Sequence, residues 1–369
     1  MEKKLNLNQT CRRGFTLIEF LVGSAVMLVV VIGTLQIYQH SNRISVDQQQ
    51  FAELQHDVRS GMFFIQQDAR SAGVGLPMEF AGYFIEGTDN EDQGAEVTPD
   101  RLLMMGNLED PLNLRIDKYM GSAANLTLED YSYEQYPYPD DYYEEMVALI
   151  LPNPDSGCRA GEVREITHVT HSATGTNERI NFSHGLSKEF NPPGGLGGTC
   201  PSSNDYNGGM VAFINVKEYW LDVTGNYPGL TAGENGYIGN GVGNVLYVTH
   251  NGVHRPVAQN IENLQFQYNG DMDGDGMLDG FTDWDPVWTG DPDMAASITH
   301  VRVQIVGRTP NRFVSLSGSQ PPNDLHLYRR PALANTPAAS EDDLHRRFML
   351  EAVASVRNRG LTLYNFGER

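Results

Sequence analysis

Cysteine and positive charge are both scarce in this chain of 369 residues. It contains three cysteines, and its 26 lysines and arginines stand against 47 aspartates and glutamates, which gives a formal net charge of −21 at pH 7. A chain this acidic does not attract nucleic acid or acidic lipid through its general electrostatic field. With so few cysteines and no histidine pattern beside them, the sequence also gives little support for a zinc site.

The common catalytic motifs are missing as well. The sequence has no Gly-x-Ser-x-Gly nucleophile elbow, no His-Glu-x-x-His zinc helix and no phosphate-binding loop. Two glycine-rich stretches, residues 192–198 and 233–243, lack the following helix that a phosphate site needs, so we interpret them as loops. We therefore predict that the protein is not an enzyme.

A long hydrophobic run occurs once, from Phe15 to Tyr38, and Glu19 is the only fixed charge within it. At the helical rise the run spans roughly 36 Å, enough to cross a hydrocarbon core of about 30 Å. Basic residues precede it at Lys3, Lys4, Arg12 and Arg13. This bias predicts a single-pass membrane protein with a cytoplasmic N-terminus and a C-terminal domain that is periplasmic or extracellular. A cleaved secretory signal is disfavoured, because no small-x-small site follows the run.

The residues around the start of this run carry a further signal. Their order is Arg12, Arg13, Gly14, Phe15, Thr16, Leu17, Ile18 and Glu19, which resembles the processing site of type IV prepilins. The resemblance implies that prepilin peptidase cleaves after Gly14 and that the new amine on Phe15 is methylated. It also implies that Glu19 faces the Phe15 amine of a neighbouring subunit inside a filament. The alternative for Glu19 is a carboxylate that snorkels to the headgroups.

The helix is predicted to continue beyond the membrane over residues 39–75. An apolar stripe at helical spacing runs along it, formed by Ile44, Phe51, Leu54, Val58, Met62, Ile65 and Ala69. Gly73, Gly75 and Pro77 then favour its end. Such a stripe is typical of a helix packed on a sheet, although a coiled-coil stalk would give a similar pattern. The chain thus divides into a leader (1–14), a membrane or filament-core helix (15–38), its amphipathic continuation (39–75) and a periplasmic head domain (76–369).

Strand signals accumulate after this helix. We predict strands at Met146–Leu151, Glu162–His171, Arg179–His184, Met210–Val223, Val245–His250, Ile261–Tyr268 and Ser297–Arg308. Together these elements predict an α+β, pilin-like fold, in which the long N-terminal helix packs on one antiparallel β-sheet with long loops. Residues 77–145 are predicted to be irregular and acidic. Their tyrosine-rich part, residues 129–145, is either a recognition surface or a solvated loop.

Two cysteines remain once Cys11 leaves with the leader. Cys158 and Cys200 form an even pair in a compartment that permits oxidation, so we predict a disulfide between them. It would close a loop of about 42 residues and contribute up to roughly 4 kcal/mol of stability. Two buried free thiols are the alternative.

An Asp/Gly-rich loop is the second informative motif. Asp271, Asp273, Asp275 and Asp279 occupy positions 1, 3, 5 and 9 of a calcium loop, and the carbonyl of Met277 occupies position 7. Threonine replaces the bidentate glutamate at position 12, so Asp283, Asp285 or a residue elsewhere must complete the shell. This many oxygen ligands favour Ca²⁺ over Mg²⁺, which gives up its waters reluctantly. The alternative is an Asp/Gly-rich turn that binds no ion.

The region around this loop extends the resemblance. Residues 258–309, with the strand-like runs Asn260–Tyr268 and Val301–Ile305, are similar to the C-terminal half of PilW-type minor pilins, which are related to the type II secretion pseudopilin GspJ. The resemblance implies a low-copy subunit that helps to initiate a type IV pilus and lies at or near its tip. Its partners would be prepilin peptidase, other minor pilins, the major pilin and a tip adhesin. Two alternatives stay open: a type II secretion pseudopilin, and a calcium-dependent tip adhesin.

Overall fold

The computed structural model of the chain describes residues 16–74, 84–93, 97–106, 113–120, 124–129, 146–158, 161–170, 179–183, 191, 200, 202–239, 241, 243–289, 297–310 and 328–356. These residues fall into two compact units, one reaching to Ala52 and the other beginning at Glu53. Helix α1, Leu17–Ser71, begins in the first unit and ends in the second.

In the first unit, helix α1 presents apolar side chains that no other described residue covers. Leu17, Phe20 and Ile37 are 80%, 70% and 70% exposed. By length and composition, α1 is the one helix in the described part of the chain that could cross a membrane. The predicted apolar helix is therefore present, and it begins at the second residue after Phe15.

In the second unit, helix α1 buries a stripe of small and apolar side chains. Its buried members are Leu54, Val58, Gly61, Met62, Ile65 and Ala69. The predicted stripe is confirmed from Leu54 onward and is wrong for Ile44, which is 39% exposed. The helix ends at Ser71, and Gly73 then adopts a left-handed φ of +77°, a conformation that glycine reaches without a Cβ penalty.

The larger sheet is antiparallel throughout. Its eleven strands in the described chain are β1 (Ile85–Thr88), β2 (Arg101–Gly106), β3 (Asn113–Met120), β4 (Asn125–Leu128), β5 (Val147–Leu151), β6 (Glu162–Glu165), β7 (His168–Thr170), β8 (Arg179–Asn181), β9 (Met210–Asp222), β10 (Val245–His250) and β11 (Val253–Ala258). Strand β9 is its organising element, because its first half pairs with β3 and β5 and its second half with β2 and β10.

The smaller sheet contains β12 (Ile261–Gly270), β13 (Ile298–Arg308) and β14 (Arg347–Ser355), in that order and antiparallel. A four-residue helix, α2 (Pro286–Thr289), lies between β12 and β13 in the chain. Helix α1 packs closely on this sheet: a Cβ added at Gly307 of β13 would lie 2.6 Å from Leu54 Cδ1 and 2.8 Å from Val58 Cγ2. Gly307 therefore lets the helix and the sheet approach each other.

The predicted α+β class, with a long N-terminal helix packed on antiparallel strands, is confirmed. Two details were wrong. The strands form two sheets rather than one, and the region 77–145, predicted to be irregular, contributes β1 to β4. These four strands are short and rich in leucine, methionine and polar residues, so the β-branched signal of a strand is weak in them. The predicted strand Glu162–His171 is two strands, β6 and β7, and β11 and β14 were missed.

Candidate functional site

The predicted cleavage residues Gly14 and Phe15 lie outside the described residues, but Glu19 lies within them. The Thr16 amide and hydroxyl donate hydrogen bonds of 2.9 and 2.8 Å to Glu19 Oε2, and the Glu19 amide donates one of 3.3 Å to Thr16 Oγ1. This reciprocal pattern is a capping box, in which a threonine and a glutamate three residues later satisfy the free N–H groups of a helix start. Sequence reasoning missed it, although the Thr-x-x-Glu pattern was available.

The capping box fixes where the Glu19 carboxylate lies. It is held at the amino end of helix α1, beside the residue that follows Phe15. Both local hydrogen bonds use Oε2, and no described residue donates one to Oε1. A carboxylate has about four acceptor positions, so this one retains capacity for a cation.

The Asp/Gly-rich loop is a hairpin-like insertion with a fixed base. It leaves the end of β12 and returns at Thr282, which forms a two-hydrogen-bond bridge with Tyr268, with N···O distances of 2.7 and 2.9 Å. Inside that bridge, the amide of Asp279 donates to the Gly270 carbonyl at 3.0 Å. The loop between these points is exposed, apart from the half-buried Asp271 and Met272.

Three of the four predicted carboxylate ligands come together in this loop. One oxygen from each of Asp271, Asp273 and Asp275 lies within 4.8 Å of the other two. Asp271 Oδ2 accepts a 3.0 Å hydrogen bond from the amide of Gly276, whose φ of +85° is left-handed, whereas the buried Asp271 Oδ1 has no hydrogen-bond partner. The turn thus fixes one oxygen of this carboxylate and leaves the other for a ligand.

The chemistry of this group fits a hard cation. No lysine or arginine within the described ranges forms an ion pair with Asp271, Asp273 or Asp275. Three neighbouring carboxylates without a counter-ion repel one another, and a cation that binds oxygens at 2.3–2.6 Å can reach oxygens spaced as these are. The donor set is therefore the kind that Ca²⁺ takes.

The other predicted ligands lie elsewhere. Asp279 is not part of the group of three, and its Oδ2 accepts a 2.7 Å hydrogen bond from the Met272 amide. Asp283 accepts one of 3.1 Å from the Gln267 side chain, and Asp285 accepts one of 2.9 Å from the Val287 amide at the start of α2. Neither Asp283 nor Asp285 belongs to the group of three.

Cys158 and Cys200 are joined by a disulfide, with their Cα atoms 5.8 Å apart. Cys200 is 6% exposed and belongs to a core cluster with Tyr206 and Phe213, against which Cys158 also packs. The bond therefore ties the segment after β5 to the segment before β9. The tyrosine-rich residues 130–145 lie outside the described residues. The two interpretations of this stretch, a recognition surface and a solvated loop, therefore stay predictions.

No protein-family model matches the sequence, and neither does any curated protein. Among solved structures, the chain is weakly similar to a type IV-like pilin from Thermus thermophilus, with 10% sequence identity over 57% of this chain and 82% of that chain and a TM-score of 0.20. A likeness at this level establishes neither a family nor a function.

Proposed function

We propose that this chain is a pilin-type subunit, anchored by helix α1 in the inner membrane with its second unit in the periplasm and later incorporated into a type IV pilus. The observation that carries the proposal is the division of one helix into two kinds of surface. Residues 17–37 present uncovered apolar side chains, whereas residues 54–69 bury one apolar face in the second unit. A filament subunit needs both surfaces. The uncovered one contacts lipid before assembly and neighbouring helices afterwards, and the buried one packs against the head domain.

The first experiment identifies the mature N-terminus. Native protein is isolated from membranes and sheared filaments, and its first residue is determined by mass spectrometry. We expect N-methylated Phe15, because the residues from Arg12 to Glu19 match the prepilin pattern. A mature chain that begins at Met1, or at a residue beyond Tyr38, would contradict the proposal.

The second experiment separates the two roles open to Glu19. If its charge pairs with an amine in another subunit, Glu19→Ala and Glu19→Gln should both reduce incorporation into filaments while membrane insertion stays normal. Thr16→Ala is the matched control, because it removes the threonine hydroxyl of the capping box and keeps both the carboxylate and the backbone amide that donates to it. Equal loss of incorporation in Thr16→Ala would show that helix capping, rather than charge pairing, is what assembly requires.

Within the pilin type, we assign the chain to a PilW-like minor pilin that primes assembly at or near the tip. The similarity of residues 258–309 to such proteins and the large head support this assignment. Deletion of the gene should abolish filaments, and the chain should crosslink to other minor pilins and to the major pilin. Normal filaments that fail to attach would favour a tip adhesin, and intact filaments with lost protein secretion would favour a pseudopilin.

We also propose that the loop from Asp271 to Asp279 binds Ca²⁺. The convergence of Asp271, Asp273 and Asp275 and the unpartnered Asp271 Oδ1 support this assignment. The Met277 carbonyl and water would complete the shell, and Asp279 would act through a water, as position 9 often does. Bound calcium would remove the repulsion between the carboxylates and stiffen the loop.

A further inference from the structure

The second unit contains a polar cavity of about 560 Å³ near the first residues of β12. The Asp/Gly-rich loop, in contrast, follows the last residues of this strand. Glu262 of β12 and Arg308 of β13 line one part of it, and the segment from Arg330 to Arg347 lines another. Charged side chains dominate its lining. Which of these charges are already paired decides what the cavity can bind.

Arg347 is fully occupied by protein groups. Its Nε and Nη2 donate to the two oxygens of Glu262 at 2.6 and 2.9 Å. Its Nη1 and Nη2 also donate to the two oxygens of Asp343 at 2.8 and 2.7 Å, and Nη1 reaches the Tyr328 carbonyl at 3.1 Å. These three charged side chains therefore satisfy one another and leave no donor for a ligand.

The side chain of Arg330, in contrast, forms few hydrogen bonds with the described residues. It is 3% exposed, and within the described residues the only hydrogen bond of its side chain runs from Nη1 to the Pro337 carbonyl at 3.1 Å. No carboxylate among those residues lies within 4.0 Å of it. A buried guanidinium is normally paired with an acid, because its desolvation is costly. Of its five donors, the described residues accept one, and Arg330 lines the cavity.

Arg308 adds a second set of unused donors. Its nearest acid is Glu262, at 3.9 Å from Nη1, which is beyond hydrogen-bond distance and already bonded to Arg347. The Arg308 side chain is 38% exposed, so a ligand can reach it from solvent. Among the described residues, no carboxylate is hydrogen-bonded to either of these two guanidinium groups, although the protein as a whole is strongly acidic.

We infer that this cavity is a binding site for a carboxylate, held by the guanidinium groups of Arg330 and Arg308. The planar fork of donors on arginine matches a carboxylate in bidentate geometry. A doubly charged phosphate fits less well, because Glu341 and Asp342 also line the cavity and repel additional negative charge. The carboxylate belongs either to a small organic acid or to an acidic side chain of a partner protein.

Calorimetric titration of the full chain in detergent, at low and fixed salt, tests the inference. The probes are acetate, a blocked Gly-Asp-Gly peptide and inorganic phosphate. We expect saturable binding of at least one carboxylate probe with a Kd of about 1 mM or tighter, and weaker binding of phosphate. Tighter binding of acetate identifies a small acid as the ligand, and tighter binding of the peptide identifies an acidic protein segment.

Variants show whether the two arginines hold the probe. Arg330→Lys keeps the charge and removes the fork, and Arg308→Gln removes an exposed charge; each should weaken carboxylate binding at least about tenfold. Arg255→Gln is the matched control, since Arg255 is exposed on β11 and does not line the cavity. If Arg330→Lys does not fold, Arg308→Gln still decides the question. Absent carboxylate binding, tighter phosphate binding or undiminished affinity in Arg308→Gln would overturn the inference and leave Arg330 as a structural residue.

Discussion

Asp68, near the end of helix α1, accepts a 2.6 Å hydrogen bond from the hydroxyl of Tyr219 on strand β9. Its other oxygen accepts a 3.0 Å bond from Lys217 of the same strand. Burial and the charge of Asp68 raise the pKa of Tyr219 above its ordinary value, so the phenol remains a donor at any physiological pH. One helical carboxylate thus fastens α1 to the strand that organises the larger sheet.

Loss of this contact should destabilise the second unit. We expect Asp68→Ala to lower the free energy of unfolding by about 2–3 kcal/mol and Tyr219→Phe by about 1 kcal/mol. All three tryptophans lie in this unit, at positions 220, 284 and 288, so tryptophan fluorescence in a urea titration reports its unfolding. The double variant should lose less stability than the sum of the two single losses, because both substitutions remove the same contact. Strict additivity would contradict a direct contact.

The helix–sheet contact at Gly307 should be equally sensitive to an added methyl group. A Cβ there would meet Leu54 Cδ1 at 2.6 Å and the Asn260 carbonyl oxygen at 2.9 Å, so one partner must move. We expect Gly307→Ala to cost about 1–3 kcal/mol in the same titration. Shortening Leu54 to alanine should recover part of this loss in the double variant. An unchanged stability of Gly307→Ala would show that the packing of α1 on β13 is loose.

These contacts mark how far the sequence could predict the fold. The burial of Leu54, Val58 and Ile65 follows from their spacing along one helix, and long apolar runs such as β9 and β13 predict strands. The partner of Asp68 could not be predicted, since a polar contact 151 residues away leaves no local pattern. The division into two sheets was also beyond reach, because strand pairing depends on contacts that a single sequence does not display.

The two candidate sites also differ in whether the sequence could predict them. The aspartates 271, 273 and 275 come together because they belong to one short turn with glycines at fixed offsets, so their grouping was predictable from the sequence. Calcium binding by them stays a prediction. The cavity with Arg308 and Arg330 joins strand β13 to a later segment, and only the three-dimensional structure shows that no acid in the described part of the chain pairs with Arg330. No sequence pattern marks Arg308 or Arg330 as part of a site, since a single arginine is most often a surface residue.

Asp100 predicts an unusual dependence of stability on pH. It is 2% exposed, and burial raises its pKa to about 8, although the amides of Asn90 and Phe266 donate hydrogen bonds to it. The folded state therefore binds this proton more tightly than the unfolded chain does. Stability should consequently fall as the pH rises from about 4 to about 8, by at most about 1.4 kcal/mol per pH unit.

Urea titrations at half-unit pH steps measure this slope. Asp100→Asn cannot ionise, so its stability should vary less with pH over the same window, even if its absolute stability is lower. Asp117→Asn, an exposed change on β3, is the matched control and should keep the slope of the parent. An identical pH profile for the parent and Asp100→Asn would show that Asp100 does not titrate in this range.

The disulfide should stabilise the core around β9. Replacement of both Cys158 and Cys200 by serine is expected to lower the free energy of unfolding by about 2–4 kcal/mol, since the bond closes a loop with a sequence separation of 42. Urea titrations of the parent with and without a reducing agent give the same comparison without mutation. A reductant that lowers the stability of the serine variant as much as that of the parent would show that the effect is unrelated to the bond.

Calcium should stabilise the second unit, and its removal should be reversible. At a free calcium concentration of 100 times Kd, one site that exists only in the folded state adds about 2.7 kcal/mol. We expect EGTA to lower the unfolding temperature of the parent and to increase proteolysis within the loop, whereas Asp271→Asn should unfold at the same temperature with EGTA or calcium. Asp117→Asn should respond as the parent does. Magnesium at the same concentration should have less effect, because it gives up its waters reluctantly. If the parent takes up no calcium in equilibrium dialysis and EGTA changes neither measurement, the loop is a turn stabilised by its own backbone hydrogen bonds.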